Sequence, residues 1–153
     1  FYYDELPGDK LLRYVPNTNH SLNGRYLNDD LISYFYRIIN DIDMPTLKWE
    51  LNDNNLNVAI DYEGNYNVSI WNAKNQNGRD FRLWQEGELW QKINIQKSND
   101  NNYQVEIKDK SNGYEAIMME FTIDPESEFP LIISTGPFVI PESYPFNKYE
   151  PLK

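Results

Sequence analysis

Apolar residues change their spacing once along this chain. Leu31, Tyr34, Phe35, Ile38, Ile39 and Ile42 recur at i, i+3, i+4, i+7, i+8 and i+11, one stripe of an amphipathic helix. Asn28 is a natural N-cap, and Asp29 and Asp30 fall where the helix dipole favours carboxylates. Pro45 disfavours helical geometry at Met44, so the helix is predicted to end near Asp43. Beyond Pro45 the period is two. Leu47, Trp49 and Leu51 alternate with Lys48 and Glu50. Leu56, Val58, Ile60 and Tyr62 alternate with Asn57, Ala59 and Asp61. Glu63-Gly64-Asn65 reads as the turn of a hairpin leading into Tyr66, Val68 and Ile70. Residues 79–84 read as a short extended segment, and residues 89–96, 103–108 and 114–123 as three further strands. In the last of these Tyr114, Ala116 and Met118 occupy one face and Ile117, Met119, Phe121 and Ile123 the other, the mark of a central strand covered on both sides. A final pair, residues 131–135 and 138–140, is split by Gly136-Pro137, and the Pro- and aromatic-rich tail from Pro141 is expected to be surface coil.

Seven or eight short strands at this spacing describe an antiparallel β-sandwich of fibronectin or immunoglobulin type. A boundary at Met44-Pro45 divides it from residues 1–44, giving two units, 1–44 and 45–153. The first unit has a different grammar. Residues 11–15 are short and apolar enough for a buried strand, Pro16 stops it, and Asn17, Thr18 and Asn19 are turn formers that deliver His20. Strand, polar loop with a histidine, then helix is how an α/β-hydrolase presents the last member of its catalytic triad, after the nucleophile and the acid. Residues 1–44 are therefore read as the C-terminal end of such a domain.

Composition narrows the partners. With 24 acidic against 14 basic residues the net charge is −10, which argues against nucleic acid or an anionic membrane. No apolar run nears the roughly 18 residues needed to span a bilayer. The first residue is Phe1, which fits a processed chain or a fragment. Cysteine is absent, and with one histidine a structural zinc site is not expected. The acidic clusters Asp29-Asp30 and Glu126 to Glu128 lack the alternating oxygen ligands and glycine of a calcium loop. No metal or other cofactor is expected.

Several blocks together carry a resemblance: Phe-Tyr-Tyr-Asp-Glu-Leu-Pro-Gly (1–8), Leu-Arg-Tyr-Val-Pro-Asn-Thr-Asn-His-Ser-Leu (12–22), Trp-Asn-Ala (71–73) with Arg-Asp-Phe-Arg (79–82), and Gly-Tyr-Glu-Ala (113–116) with Glu-Phe-Thr (120–122). They resemble the PhoPQ-activated pathogenicity-related proteins, a family that includes the autocrine proliferation repressors of amoebae. The resemblance runs over nearly the whole chain. It implies a secreted, extracellular protein with an α/β-hydrolase-like body, related to peptidases and esterases, and a C-terminal β-sandwich. This chain would be the C-terminal part, and the nucleophile and acid would lie upstream of Phe1 or on a separate chain. In the repressor branch the associated role is growth-inhibitory signalling, which implies a cell-surface receptor.

His20 matches the histidine of the family's Pro-Asn-x-x-His-Ser-Leu block and is the one candidate catalytic residue, with an upstream nucleophile and acid. No Gly-x-Ser-x-Gly occurs here, so the chain alone offers that imidazole nothing to activate. The alternative is an ordinary loop histidine bonded to backbone or water. Arg79-Asp80-Phe81-Arg82 is either an anion site or, as the plainer reading, an ion pair or turn cap with Phe81 entering the core. Asn19-His20-Ser21 and Asn67-Val68-Ser69 match the glycosylation pattern, and Asn67 is the better candidate because a glycan at Asn19 would crowd His20. Trp49, Trp71, Trp84 and Trp90 could form a sugar-stacking platform, so a carbohydrate-binding module stays open beside core filling. An active serine peptidase or esterase, its other triad members upstream, is the third reading.

Overall fold

The computed structural model describes Tyr3 and residues 5–22, 27–107 and 113–143. Among these residues it is mainly β, with two antiparallel sheets and two helices. The first sheet has strand order β1-β2-β5, from β1 (Thr46–Asn52), β2 (Asn55–Asp61) and β5 (Asn102–Glu106). The second runs β4-β3-β6-β7, from β3 (Tyr66–Asn75), β4 (Gln91–Ile95), β6 (Tyr114–Ile123) and β7 (Leu131–Ser134), with β8 (Phe138–Ile140) also on β6. β7 and β8 follow the same strand, Glu120 facing Ser134 and Glu115 facing Ile140, with one residue of slip across Thr135-Gly136-Pro137.

Period-two apolar positions explain the shared core. Leu56, Val58 and Ile60 of β2 cluster with Val68 of β3 and with Ile117, Met119, Phe121 and Ile123 of β6. Two rings from one sheet and one from the other join at Phe121, whose centroid lies 5.9 Å from Tyr66 and 5.6 Å from Tyr103. The hydroxyl of Tyr103 donates to that of Tyr66 at 3.0 Å, and Tyr66 donates to Asn101 at 2.7 Å, so both phenols are satisfied in the interior. β6 is buried on both faces, as its sequence implies.

The turn at residues 63–65 does not close a hairpin. β2 and β3 lie in different sheets, because Tyr62 leaves the first sheet to meet α1 and Asp124 while Tyr66 starts the second against Ile123. The hairpin of β1 and β2 is tighter than its run of asparagines suggests. Asn52 faces Asn55 across Asp53 and Asn54, and Asp53 takes φ 53°, a conformation short polar side chains tolerate. Residues 79–84 are not one extended segment: Leu83–Glu86 form a single helical turn, α2, with the Arg82 carbonyl accepting from Gln85 and Glu86. The tail expected as surface coil falls largely on residues 144–153, outside the described residues.

Helix α1 (Leu27–Ile39) stops before Asp43. Asp41 adopts φ 53°, its N–H reaches the Ile38 carbonyl at 3.4 Å, and the Ile42 N–H reaches the Arg37 carbonyl at 2.9 Å. That pair of bonds is a Schellman cap, with aspartate where glycine is commonest. Asn28 lies inside the first turn and is not the cap.

The orientation of α1 is the larger surprise. Among its described side chains Ser33 and Arg37 are buried, while Leu31, Tyr34, Phe35 and Ile38 of the apolar stripe are exposed and Ile39 is 78% exposed. Arg37 decides this. Its guanidinium donates to the Tyr62 hydroxyl at 2.9 Å, to Asp124 at 2.8 Å and to the Asp43 carbonyl, and the Tyr62 hydroxyl donates to Asp124 at 2.6 Å. A 2%-exposed arginine with all these partners fixes the polar side of the helix against the sheets. Burial alone would lower the Arg37 pKa; the hydrogen bonds it donates to Asp124 and Tyr62 outweigh it and raise it.

Residues 11–15 do not form the expected strand. They run beside β7, where the Ser134 N–H donates to the Leu12 carbonyl at 2.8 Å, but the Tyr14 N–H is taken by the Ser134 hydroxyl at 2.9 Å. A side chain stands where a ladder would need a carbonyl.

Candidate functional site

His20 sits on an exposed turn that its neighbours shape. Asn17 takes φ 51° and Leu22 φ 52°, the Leu22 N–H donates to the Asn19 carbonyl at 3.0 Å, and the Asn19 side chain accepts from the Ser21 N–H at 3.0 Å. The first of these bonds is a backbone β-turn bond and the second an Asx turn. The imidazole makes no hydrogen bond among the described residues, to Ser21 or any other group. Thus Asn19 spends its side chain on the loop, whereas Asn67 is exposed on β3.

What holds this loop to the sheet lies on either side of it. The Asn17 amide donates to the Trp90 carbonyl at 2.8 Å and its oxygen accepts from the Trp90 N–H at 3.1 Å, a two-point clamp across 73 residues of sequence. Earlier in the segment, Arg13 donates to Glu120 at 2.6 Å and to Asp30 at 3.2 Å. Glu120 is 3% exposed, on the face of β6 away from the shared core, and also accepts from Lys92 at 2.7 Å and from the Trp71 indole at 3.0 Å. Burial pushes the Glu120 carboxyl up, but the Lys92 hydrogen bond and the charges of Arg13 and Lys92 win and hold it below the ordinary glutamate range. Asp30 goes the other way: its desolvation exceeds what Arg13 returns, and its pKa is raised. Replacing Asn17 with alanine is expected to cost about 1–2 kcal/mol in urea unfolding and to speed proteolysis within residues 16–22, because two backbone groups of Trp90 lose their partner.

The clamp also closes a cleft of about 230 Å³, lined by Pro16 and Thr18 of the loop, Phe81, Trp84 and Trp90, and Met118 of β6. Phe81 does not enter the core; its ring lies 6.1 Å from that of Trp90. Trp84 is 67% exposed, and the Arg82 guanidinium stands 5.3 Å from its ring centre. Arg82 is itself paired with Asp80, whose carboxyl its hydrogen bonds hold down at about 2. The plainer reading of the Arg79 to Arg82 block is thus met at Asp80 and wrong at Phe81. The Thr18 hydroxyl is the single buried side-chain polar atom without a hydrogen-bond partner among the described residues.

The four tryptophans form no common platform. Trp49 packs on the shared core and on Tyr3, with centroids 5.6 Å apart, whereas Trp71 and Trp90 meet Glu120 and Asn17 on the other side of the second sheet. Among the described residues no three His, Cys, Asp or Glu side chains gather as a metal site, and no helix is long and apolar enough to cross a membrane. Sequence reasoning missed the cleft, since Asn17 to Trp90 is a long-range contact that no local spacing announces.

No curated protein and no solved structure matches the chain. The sequence profile of the PhoPQ-activated pathogenicity-related proteins matches residues 1–82, more than half of the 153 residues. The match spans the His20 loop, α1, the first three strands and the Arg79 to Arg82 block, and on it this chain belongs to the PhoPQ-activated pathogenicity-related protein family.

Proposed function

We propose that this chain is the C-terminal part of a secreted α/β-hydrolase-like protein, and that α1 and residues 11–22 form the face on which the hydrolase body packs. The observation that carries the reading is the outward apolar stripe of α1. A soluble surface rarely leaves five large apolar side chains of one helix in water unless something covers them. The stripe adjoins a hollow of about 630 Å³ lined by Leu11, Val15, Leu22, Leu31, Tyr34 and Ile132, so it is continuous with the segment that ends in the His20 loop. A body that covers the stripe would also meet His20, leaving residues 1–44 as its tail and 45–153 as a separate sandwich.

The strand order β1-β2-β5 facing β4-β3-β6-β7 supports a fibronectin-like sandwich, since sequence neighbours cross between sheets as they do in that class. Its task would be to pack on the body or to present a receptor-binding surface in growth-inhibitory signalling. On the secreted reading Asn67 is the glycan acceptor. An exposed His20 without a hydrogen-bond partner favours a second reading, in which the parent is an active serine peptidase or esterase and this imidazole is its base.

Two measurements test this. The isolated chain is expected to turn over neither ester nor amide substrates, and His20-dependent turnover by the chain alone would overturn the proposal. Phe35→Glu with Ile39→Lys is expected to change unfolding free energy by no more than about 1 kcal/mol, since both sites are exposed, while lowering self-association and dye binding of the isolated chain. A loss of several kcal/mol in that variant would mean that the stripe is internal to this chain.

A further inference from the structure

We infer that the open edge of β1 is a surface on which a second copy of this chain pairs, strand to antiparallel strand, with Trp49 on the two-fold axis. The inference rests on β1 and not on α1 or the hydrolase-like reading, so the two fail separately.

The backbone sets the seam. The Ile60 N–H donates to the Asn101 carbonyl at 3.1 Å, so on β2 Ile60, Val58 and Leu56 turn their peptide groups towards β5, and the alternate residues turn theirs towards β1. Opposite those alternates stand Thr46, Lys48 and Glu50, whose groups are thus spent on β2. The N–H and C=O groups of Leu47, Trp49 and Leu51 point the other way, off the end of the order β1-β2-β5, and have no partner among the described residues. Room for a strand lies there. A groove of about 760 Å³ is lined by β1 from Thr46 to Leu51 and by Tyr3, Lys10, Leu11 and Phe138. The inward side chains record the same opening: Leu56, Val58 and Ile60 of β2 are buried, whereas Leu47, Trp49 and Leu51 are only partly covered.

The side chains select the occupant. Lys48 and Glu50 stand exposed on the outer face, form no ion pair among the described residues, and oppose only Ala59 and Asn57 on β2. When β1 pairs with itself about Trp49, Lys48 meets the second copy's Glu50, Glu50 meets its Lys48, and Leu47 meets its Leu51. The hydrogen bonds fit the same register. Trp49 with Trp49 and Leu47 with Leu51 are pairs whose peptide groups both face the seam, which leaves the charges in the closer, non-hydrogen-bonded positions. Centring on Lys48 or on Glu50 instead would set like charges face to face. A lysine ordinarily blunts an edge strand; here a glutamate two residues on gives it a counter-charge on a second copy. The other edges lack the pattern, since β4 carries only Lys92, already bonded to Glu120, β5 only Glu106, and β7 and β8 no charge.

The test is sedimentation equilibrium of this chain in about 0.15 M salt, where a Debye length of about 8 Å mutes the repulsion of two molecules of net charge −10. All samples carry Phe35→Glu with Ile39→Lys, which removes association through α1. A monomer–dimer equilibrium with Kd between about 1 µM and 1 mM is expected. Lys48→Glu and Glu50→Lys, both at exposed sites, should each weaken the dimer by about tenfold or more. An equimolar mixture of the two should restore it, since one then brings two glutamates to the seam and the other two lysines. That restoration separates a lost contact from a lost fold. Amide exchange should slow at Leu47, Trp49 and Leu51 on dimerisation and stay unchanged at Lys48 and Glu50, whose N–H groups are already bonded to β2. A chain still monomeric at about 1 mM, charge reversals without effect, a mixture no tighter than its parts, or unchanged exchange at Leu47, Trp49 and Leu51 would overturn the pairing.

Discussion

Phe121→Ala is expected to destabilise the chain by about 3–5 kcal/mol, the largest effect of any single substitution considered for this fold. Phe121 is fully buried in β6 and touches a tyrosine from each sheet, so its removal opens a void between the sheets and not at one end of them. The lost transfer energy and the cavity add, and both neighbouring rings are tied by their hydroxyls, which limits collapse into the gap. Against a domain stability of about 5–15 kcal/mol this is a large share. Urea unfolding followed by tryptophan fluorescence reads it directly. A loss under about 1.5 kcal/mol would mean that the two sheets do not share the core described.

Glu120→Ala is the second, at about 2–4 kcal/mol, and for a different reason. The substitution leaves Arg13, Lys92 and the Trp71 indole without their common acceptor. Arg13 keeps Asp30 and Lys92 is partly hydrated, which keeps the loss below that of a fully enclosed pair. The exposed Asp80–Arg82 pair, by contrast, is expected to contribute no more than about 1 kcal/mol. The effect carries a pH signature. Because the Glu120 carboxyl is held below its ordinary 4.5, its contribution is complete above that value and is lost as the pH falls through the lower folded-state value. Asp30, raised by burial, opposes this, since its contribution is present at low pH and lost as pH rises through its raised value. Acid unfolding of Glu120→Gln should therefore start from a lower stability and show a shallower slope below about pH 4.5 than the unaltered chain. An unchanged acid slope would contradict the coupling of Glu120 to its cations.

How much of this could be read from residues alone depends on the range of the interaction. The strands were legible because β1 and β2 write burial as strict alternation, and β6 was legible as central because both its faces are apolar. The pairing of sheets was not, since a turn such as Glu63-Gly64-Asn65 looks the same whether the chain folds back on its sheet or crosses to the other. The helix was legible and its direction was not. Periodicity reports which side of α1 is apolar, but Arg37 found Asp124 and Tyr62, 87 and 25 residues away, and turned the polar side inward. The family's His20 block marked a loop in the sequence; what supports that loop, Asn17 on Trp90 and Arg13 on Glu120, spans 73 and 107 residues and leaves no local trace.

The central claim is that the apolar stripe of α1 is covered by a hydrolase-like body in the natural protein. Amide hydrogen exchange over Leu27–Ile39 tests it most directly, compared between this isolated chain and the protein purified from its source. The account predicts slower exchange across the helix in the natural protein, with the amides of β6 unchanged between the two. Equal exchange in both, with the stripe as open in the natural protein as in the isolated chain, would contradict it.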